Sequence, residues 1–476
     1  MTFAEIVSFL NGIAWGPWML VLLVGTGVFL TAKVGFIQFT KFGHAMKNTI
    51  GKIFQKQTAA EGEITPFQAM TTALAATVGT GNIAGVTGAI AIGGPGAVFW
   101  MWVSALFGMV TKYAEVVLAV RYRERNTKGD WVGGPMYYIR NGMGKKWNWL
   151  AVVFSLLAAL AAFGIGNMTQ VNTIASSINT ALDAFGGNTG ANTLFMFGQN
   201  VPVSSIIVGA IVAVIVAMTL IGGIKRIGAV TELMVPFMAA VYIICALAVV
   251  FCNVGSLGKI IAMIFKGAFS AEAALGGAFG ITIMQTIQKG VGRGVFSNEA
   301  GLGSAPMAHA ATSETNPVKQ GLYGIFEVFM DTIVICTLTA FTVLCGVESG
   351  VPIVWGQSAG TEMITAAFST VFGGKVGSLI VAVGISLFAL STILSWSLYG
   401  TRCCEFLLGH KAVLPYQIIF ILIVLVGATL DLDLVWNIAD TLNGFMALPN
   451  LIALLALSSV VIKLTKEYFA GVKTEK

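Results

Sequence analysis

The sequence predicts an all-α integral membrane protein with about eleven transmembrane helices, arranged as one leading helix followed by two sets of five. Hydrophobic residues make up 56% of the 476 positions and charged residues only 10%, whereas soluble domains carry about 25% charged residues. Long charge-free runs supply the spans, each of which needs about 20 apolar residues. In addition, 23 of the 27 Lys and Arg residues fall in alternate connecting segments, which is the bias that the positive-inside rule describes.

We predict spans at 13–32, 66–92, 96–120, 147–180, 203–223, 228–252, 273–289, 321–346, 376–400, 413–431 and 441–463. The charge bias puts the N-terminus outside and the tail, 464–476, in the cytoplasm. The net charge of +6 therefore reflects orientation in the lipid bilayer, and no nucleic-acid partner is expected. The six cysteines lack metal-ligand spacing and are interpreted as reduced packing residues. The three histidines fall in predicted inner loops, so neither a transition-metal site nor a histidine proton relay in the membrane is expected.

The two sets of five helices define the predicted domains. Residues 1–65 hold the leading helix and an inner basic loop, 66–252 the first repeat and 253–463 the second. Because each set has an odd number of helices, the two sets have opposite orientations. This is the arrangement of inverted-topology repeats, which several secondary transporters share.

A glycine-rich break interrupts the first helix of each set, VGTGNIAG at 78–85 and LGGAFG at 275–280. Glycine costs about 1 kcal/mol per interior helical position relative to alanine, and irregular backbone at membrane depth is tolerated only inside protein or along a cavity. Paired breaks of this kind indicate the binding site of a secondary transporter. A dinucleotide-binding loop would need a preceding strand. Close helix packing through small residues would favour glycines on one face of the helix, whereas Gly79, Gly81 and Gly85 point in different directions.

Polar side chains in the fourth and ninth spans are further candidates. In the ninth span, the hydroxyls of Ser391 and Thr392 can ligate a desolvated Na⁺ or bond back to the carbonyl one turn earlier, and both interpretations stay open. In the fourth span, either contact with a substrate or hydrogen bonding between helices explains the group formed by Phe163, Asn167, Thr169 and Gln170.

Charged residues near the membrane interior give three more hypotheses. Asp331 lies well into the eighth span and is either an ion ligand or a capped or protonated carboxyl group. Lys112 and Glu115 are predicted to form a structural pair, since their spacing puts them on one helix face. The inner connection from 291 to 306 looks too glycine-rich for a plain helix. Within it, Arg293 and Glu299 form either a gate pair or part of a tight loop bound to lipid phosphates.

Four long motifs resemble those of the alanine/glycine:cation symporter family: GTGNIAG at 79–85, GGPGAVFWMW at 93–102, GGPMYYI at 133–139 and GVFSNEAGLGSAPMAHA at 294–310. The resemblance covers essentially the whole chain. It implies a fold similar to that of the leucine transporter, with a leading helix and two inverted repeats whose first helices are unwound. It also implies a symporter of the cell inner membrane, not an enzyme, that couples Na⁺, or in some members H⁺, to uptake of alanine and glycine. No cofactor is expected, and the chain is expected to be a monomer.

The resemblance also implies roles for individual residues. The amino acid would contact a set drawn from both breaks and two other spans, in which the last residue limits side-chain size: Thr80, Gly81, Asn82, Phe163, Gln170, Phe279, Gly280 and Trp396. By analogy with the sodium site of this fold, the cation would be bound by Ala76, Gly79, Ala389 and Thr392.

Two rival functions find less support in the residues. A channel would favour symmetric subunits with a charged or carbonyl-lined filter, and no ring-forming loop stands out. An intramembrane enzyme would need a His/Asp/Cys constellation deep in the spans, where only Asp331 comes close. A symporter coupled to H⁺ instead of Na⁺ remains the main alternative.

Overall fold

The structure is a computed structural model that describes residues 2–52, 59–60, 62–270, 282–357, 359–430 and 433–474. Within these residues, nine helices are long and apolar enough to cross a membrane, or ten if one bent pair counts as a span. This confirms the predicted all-α membrane class. Of the predicted span 273–289, residues 273–281 lie outside the described residues, and 283–289 are helical. The second glycine-rich break at 275–280 lies wholly outside the described residues and stays a prediction.

The helices up to residue 252 are α1 (Phe3–Ala14), α2 (Pro17–Val34), α3 (Ile37–Thr40), α4 (Phe42–Thr49), α5 (Pro66–Thr77), α6 (Val86–Gly93), α7 (Ala97–Arg121), α8 (Pro135–Tyr138), α9 (Asn148–Phe163), α10 (Thr169–Ala184), α11 (Val203–Leu220) and α12 (Gly223–Cys252). Those that follow are α13 (Leu257–Phe269), α14 (Ile283–Asn298), α15 (Pro306–His309), α16 (Pro317–Val328), α17 (Thr337–Glu348), α18 (Thr361–Phe372), α19 (Gly374–Leu408), α20 (Val413–Gly427), α21 (Asp433–Ala456) and α22 (Ser458–Thr474).

Other elements are short. Segments of π-helix lie at Gly81–Gly85, Ile139–Met143, Gly164–Met168 and Phe329–Cys336. Two small antiparallel hairpins pair β1 (Glu124–Arg125) with β2 (Trp131–Val132), and β3 (Thr193–Met196) with β4 (Gln199–Pro202). Three of the π segments interrupt predicted spans, so that α5–α6, α9–α10 and α16–α17 each form one predicted crossing from two helices.

Local sequence signals explain where several helices begin. Helix α5 begins at Pro66, whose missing N–H would have no partner in a first turn. Thr65 and Gln68 form a reciprocal capping box at this end, and Thr282 and Gln285 do the same for α14. Each box satisfies two backbone donors that the helix itself leaves free.

Helix α14 corrects the expected loop at 291–306, because the helix continues to Asn298. Two of its three glycines, Gly290 and Gly294, serve close packing against α7. A Cβ atom at Gly290 would lie 2.4 Å from the carbonyl oxygen of Ala97, and one at Gly294 would lie 2.2 Å from Ser104 Oγ. Small residues let two helix backbones approach in this way, so glycine content here does not signal a hinge.

Three further boundaries differ from the prediction. The leading span, predicted at 13–32, corresponds to α2, which begins later, at Pro17, and is preceded by a separate helix, α1. The last predicted span ends at Ala456, after which α22 begins. Helices α13 and α18 lie in connections for which the sequence analysis predicted no helix.

The interrupted helix α5–α6 lies between two buried hydrophobic clusters. Ala73 and Ala76 belong to the larger cluster, while Leu74, Val78 and Ile83 belong to the other. Because both sides of the break are packed, its irregular backbone is enclosed by protein, as the membrane interior requires.

Candidate functional site

The first glycine-rich segment contains a real break. Helix α5 ends at Thr77, Val78 and Gly79 are not helical, and helical backbone resumes at Thr80, with a π-helical turn from Gly81. The two helical pieces are bent by 50° relative to each other. The interruption is therefore shorter than the predicted 78–85, because most of the motif is wound as π-helix.

Gly79 occupies a position with no space for a side chain. A Cβ atom there would lie 2.5 Å from Thr392 Oγ1 on α19. The Gly79 N–H, which has no helical partner, donates to Asn82 Oδ1 at 2.9 Å. The break thus brings the backbone of one helix into direct contact with the hydroxyl of another.

Oxygen atoms from α5 and α19 meet at this contact. Thr392 Oγ1 lies 3.1 Å from the carbonyl oxygen of Ala75 and 3.4 Å from that of Ala76. Ser391 Oγ lies 3.2 Å from the same Ala75 oxygen. Both hydroxyls also donate to the Phe388 carbonyl, at 3.0 and 2.8 Å. Hydroxyl and carbonyl oxygens next to an unwound segment are the donor set that transporters of this kind use for Na⁺.

This oxygen cluster agrees only in part with the predicted cation ligands. Ala76 and Thr392 are brought together, and Gly79 touches Thr392. Ala389 is fully buried, but the hydrogen bonds from α19 to α5 come from Ser391 and Thr392. Ser391 and the Ala75 carbonyl were not among the predicted cation ligands, and a helical carbonyl such as that of Ala75 carries no signal in the sequence.

The remaining polar atoms of the break face α10. The Thr80 N–H points toward Gln170 Oε1 at 3.5 Å, and Gln170 Nε2 donates to the Ile165 carbonyl at 2.8 Å. That second bond fixes the amide so that its oxygen is turned to the break. Thr80 Oγ1 is buried and has no hydrogen-bond partner among the described residues, which leaves one hydroxyl free to bind a ligand.

Asn82 holds the break against the eighth predicted span. Its Nδ2 donates to Asp331 Oδ1 at 2.6 Å, and Ser297 and Thr332 donate to Asp331 Oδ2, each at 2.8 Å. Asp331 is fully buried, so these side chains replace the water that a carboxylate would otherwise bind. The Asp331 carboxyl group is therefore capped, which was one of the hypotheses drawn from the sequence. The groups that cap it are side chains and not backbone N–H groups. The Asn82 side chain, which was predicted to contact the substrate, thus donates to Asp331 of the protein itself.

Two predicted substrate contacts lie elsewhere. Trp396 is 2% exposed, and its indole N–H donates to Glu299 Oε1 at 2.9 Å. Phe163 packs on the Tyr416 ring, with centroids 4.7 Å apart. A cavity reaches the break, and neither Trp396 nor Phe163 is among the residues that line it. Phe279 and Gly280 lie outside the described residues.

That cavity has a volume of about 490 Å³ and ends at Thr80 and Gly81. Lys289, Arg293 and Glu362 are among the charged residues that line it. Since Glu362 belongs to the predicted outer connection between the eighth and ninth spans, the cavity opens toward the side predicted to be outside.

The proposed gate pair of Arg293 and Glu299 is wrong. Arg293 lines the cavity with its guanidinium carbon 5.1 Å from the ring centroid of Phe296. The Glu299 carboxylate instead accepts from Trp396 and from Ser304 Oγ. Glu299 ends α14 with a left-handed backbone, φ 55°.

Lys112 and Glu115 interact electrostatically, but no ion pair or hydrogen bond joins the two side chains directly. Glu115 Oε1 accepts from the backbone N–H groups of Gly301 and Gly303, both at 3.1 Å, and from Asn450 Nδ2. Lys112 Nζ is buried and has no hydrogen-bond partner among the described residues. Glu115 therefore anchors the glycine-rich turn after α14, a tertiary role that helical spacing does not reveal.

One buried histidine was assigned to a loop by the sequence analysis. His309 is fully buried. Its Nδ1 accepts from Gln320 Nε2 at 2.8 Å, and its Nε2 contacts the Glu327 carboxylate. Since the amide donates to Nδ1, the proton of a neutral ring is on Nε2. This group joins α15 to α16 and is separate from the oxygen cluster at the break.

Comparison with known proteins gives a consistent result. The family model described as "Sodium:alanine symporter family" matches residues 1–476. The "Sodium/alanine symporter AgcS" of Methanococcus maripaludis is 45% identical over 98% of this chain and 98% of its own length. The "Amino-acid carrier protein AlsT" of Bacillus subtilis is 38% identical over 98% of this chain and 92% of its own length.

A solved structure shows the same fold. The crystal structure of MhsT in complex with L-phenylalanine superposes with a TM-score of 0.59 at 13% identity, covering 86% of this chain and 99% of that one. This likeness confirms the predicted leucine-transporter-type fold.

Proposed function

Because this chain belongs to the sodium:alanine symporter family, we propose that it couples the influx of Na⁺ to the uptake of alanine and glycine by alternating access. The family is one of transporters, which confirms the prediction that the chain is not an enzyme. Alanine and glycine are the proposed substrates and Na⁺ is the proposed coupling ion.

One observation carries the proposal. At the break in α5–α6, the oxygen cluster of Ala75, Ala76, Ser391 and Thr392 lies beside the Thr80 N–H. It also lies beside the Thr80 hydroxyl, which has no hydrogen-bond partner among the residues that the structure describes. The first group suits a small cation, and the second suits the carboxylate of an amino acid. Both groups are buried, where an ion and a zwitterion must replace their hydration by fixed dipoles.

The start of the π-helical turn supports binding of the carboxylate. The first N–H groups after a helix break have no partners within the helix, and the local dipole favours negative charge. Thr80 and Gly81 stand at this point and line the cavity. In the proposed complex they bind the carboxylate, while the Gln170 amide oxygen, 3.5 Å from the Thr80 N–H, lies within reach of the ammonium group.

Coupling follows from the closeness of the two groups. Gly79 touches Thr392 and precedes Thr80, so a cation bound to the oxygen cluster stabilises the same backbone that binds the amino acid. Each Na⁺ that moves inward gains about 2.3 kcal/mol per 100 mV of membrane potential, which is enough to accumulate a neutral zwitterion.

We also propose that the chain lies in a cell inner membrane with its N-terminus outside and its C-terminal tail in the cytoplasm. The cavity that Lys289 and Arg293 line opens toward the predicted outside, so these two belong with the outer charges. The bias then becomes 21 of 27 Lys and Arg residues inside, still strong. Residues 66–252 and 253–463 are proposed to be inverted repeats.

The test is uptake of labelled alanine by the purified full-length chain in proteoliposomes, under separately imposed Na⁺ and H⁺ gradients. The proposal expects saturable uptake driven by Na⁺ alone and competed by glycine. Uptake driven by H⁺ without Na⁺ would favour proton coupling, for which the fully buried Asp331 is the structural candidate. Flux without saturation would indicate a pore.

A further inference from the structure

Two cations in the wall of the cavity, Lys289 and Arg293, make no hydrogen bond or ion pair with any residue that the structure describes. Lys289 and Arg293 are four residues apart on α14, which puts them on one helix face. Both are half-buried. Arg293 only stacks over Phe296. Two charges removed in part from water without hydrogen-bond acceptors among the described residues are costly, so their placement in a cavity favours an anionic ligand.

The charges around the cavity have a definite order. Glu362 also lines it and is exposed. Asp440 is close enough to interact electrostatically with both cations, but its carboxylate accepts from Asn11 Nδ2 at 3.1 Å, and it does not line the cavity. A ligand entering the cavity therefore meets one exposed acid, then two half-buried cations and then the buried Thr80.

This order matches an amino acid zwitterion. The inference rests on the proposed function: we propose that Lys289 and Arg293 form an outer subsite that binds the carboxylate of the amino acid before it reaches the broken helix. The guanidinium of Arg293 offers paired N–H donors that fit a carboxylate, and Lys289 adds a second charge. Glu362 holds the ammonium group of the same molecule. The subsite raises the local concentration of substrate at the break, as charged clefts do.

The main test is the kinetics of alanine uptake by the full-length chain in proteoliposomes at fixed Na⁺. Lys289→Gln and Arg293→Gln are each expected to raise KM about tenfold, the loss expected for one charge-assisted hydrogen bond, with the maximal rate unchanged. Lys289→Arg and Arg293→Lys keep the charge and are expected to keep KM close to that of the wild type. The matched control is Lys375→Gln, because Lys375 is an exposed cation on the predicted outer side that does not line the cavity.

A second measurement needs no variant. Uptake by the wild-type chain at low alanine is followed while choline chloride is added, since about 0.1 M salt shortens the Debye length to about 10 Å. The rate is expected to fall, whereas flat dependence on salt would contradict the subsite even if a Gln variant fails to fold. The series is repeated with methanesulfonate in place of chloride. A KM difference that disappears without chloride would show that the two cations bind chloride, which overturns the proposal.

The outcomes separate this inference from the proposed function. Wild-type chain without Na⁺-driven alanine uptake would refute the proposed function and this inference together. Normal wild-type uptake with unchanged KM in both Gln variants would refute the subsite alone. A loss of maximal rate at unchanged KM would also refute it, because the cations would then act in translocation and not in capture.

Discussion

Replacing Thr392 by valine tests the ion site most directly. Valine has nearly the shape of threonine, so packing is preserved while one oxygen of the cluster is removed. The lost hydroxyl lies 3.1 Å from the Ala75 carbonyl and 3.0 Å from that of Phe388. If the hydroxyl is an ion ligand, the variant binds Na⁺ less tightly. If it only bonds back to its own helix, Na⁺ binding is unchanged.

The size of the effect follows from the burial of the site. Thr392 is 2% exposed, so water cannot replace the missing oxygen. Losing one partner of a buried polar group costs about 1–3 kcal/mol, and 1.4 kcal/mol corresponds to a tenfold change in affinity. The Na⁺ concentration for half-maximal uptake is therefore expected to rise about 5- to 150-fold.

The assay is alanine uptake in proteoliposomes as a function of Na⁺ at saturating alanine. Thr392→Ser retains the hydroxyl and is expected to keep most of the affinity. The matched control is Thr342→Val, because Thr342 is also buried and donates to the carbonyl four residues earlier, at 2.8 Å, but lies away from the break. An unaltered Na⁺ dependence in Thr392→Val would refute the assignment.

Three further predictions concern the break and its supports. Gly79→Ala is expected to abolish uptake, since its Cβ would lie 2.5 Å from a buried hydroxyl oxygen. The control Gly43→Ala has open space around the new Cβ and should transport normally. Wild-type uptake by Gly79→Ala would contradict the close contact. Asp331→Asn, which disturbs three side-chain hydrogen bonds, is expected to destabilise the fold by about 1–3 kcal/mol, and an unchanged melting temperature in detergent would count against that role. Trp396→Phe removes the N–H that donates to Glu299 and is expected to lower the melting temperature without allowing transport of bulkier amino acids. Transport of bulkier amino acids by this variant would show that Trp396 lines the substrate pocket.

Much of the fold was accessible from the sequence, because the bilayer imposes simple rules on a chain. Apolar runs must be about 20 residues long, and the prediction of all-helical spans follows. The break at residues 78 and 79 was also accessible, since glycine, threonine and asparagine at that depth conflict with a regular helix. The same reasoning failed for α14, where glycines at 290 and 294 pack against α7. Composition alone does not distinguish a glycine that unwinds a helix from one that lets two helices touch.

Side-chain partners were the part that only the tertiary structure decided. Neighbours in sequence suggested the pairs Lys112–Glu115 and Arg293–Glu299, yet the two carboxylates bind Asn450 and Trp396, which are far away along the chain.

The sequence by itself thus determined the membrane class, the approximate spans and the position of the first break, since each depends on local composition and on transfer from water to lipid. Which oxygens meet at the break, and which charges line the cavity above it, was decided by how distant helices pack. Such contacts depend on three-dimensional register, for which a single sequence carries no local signal.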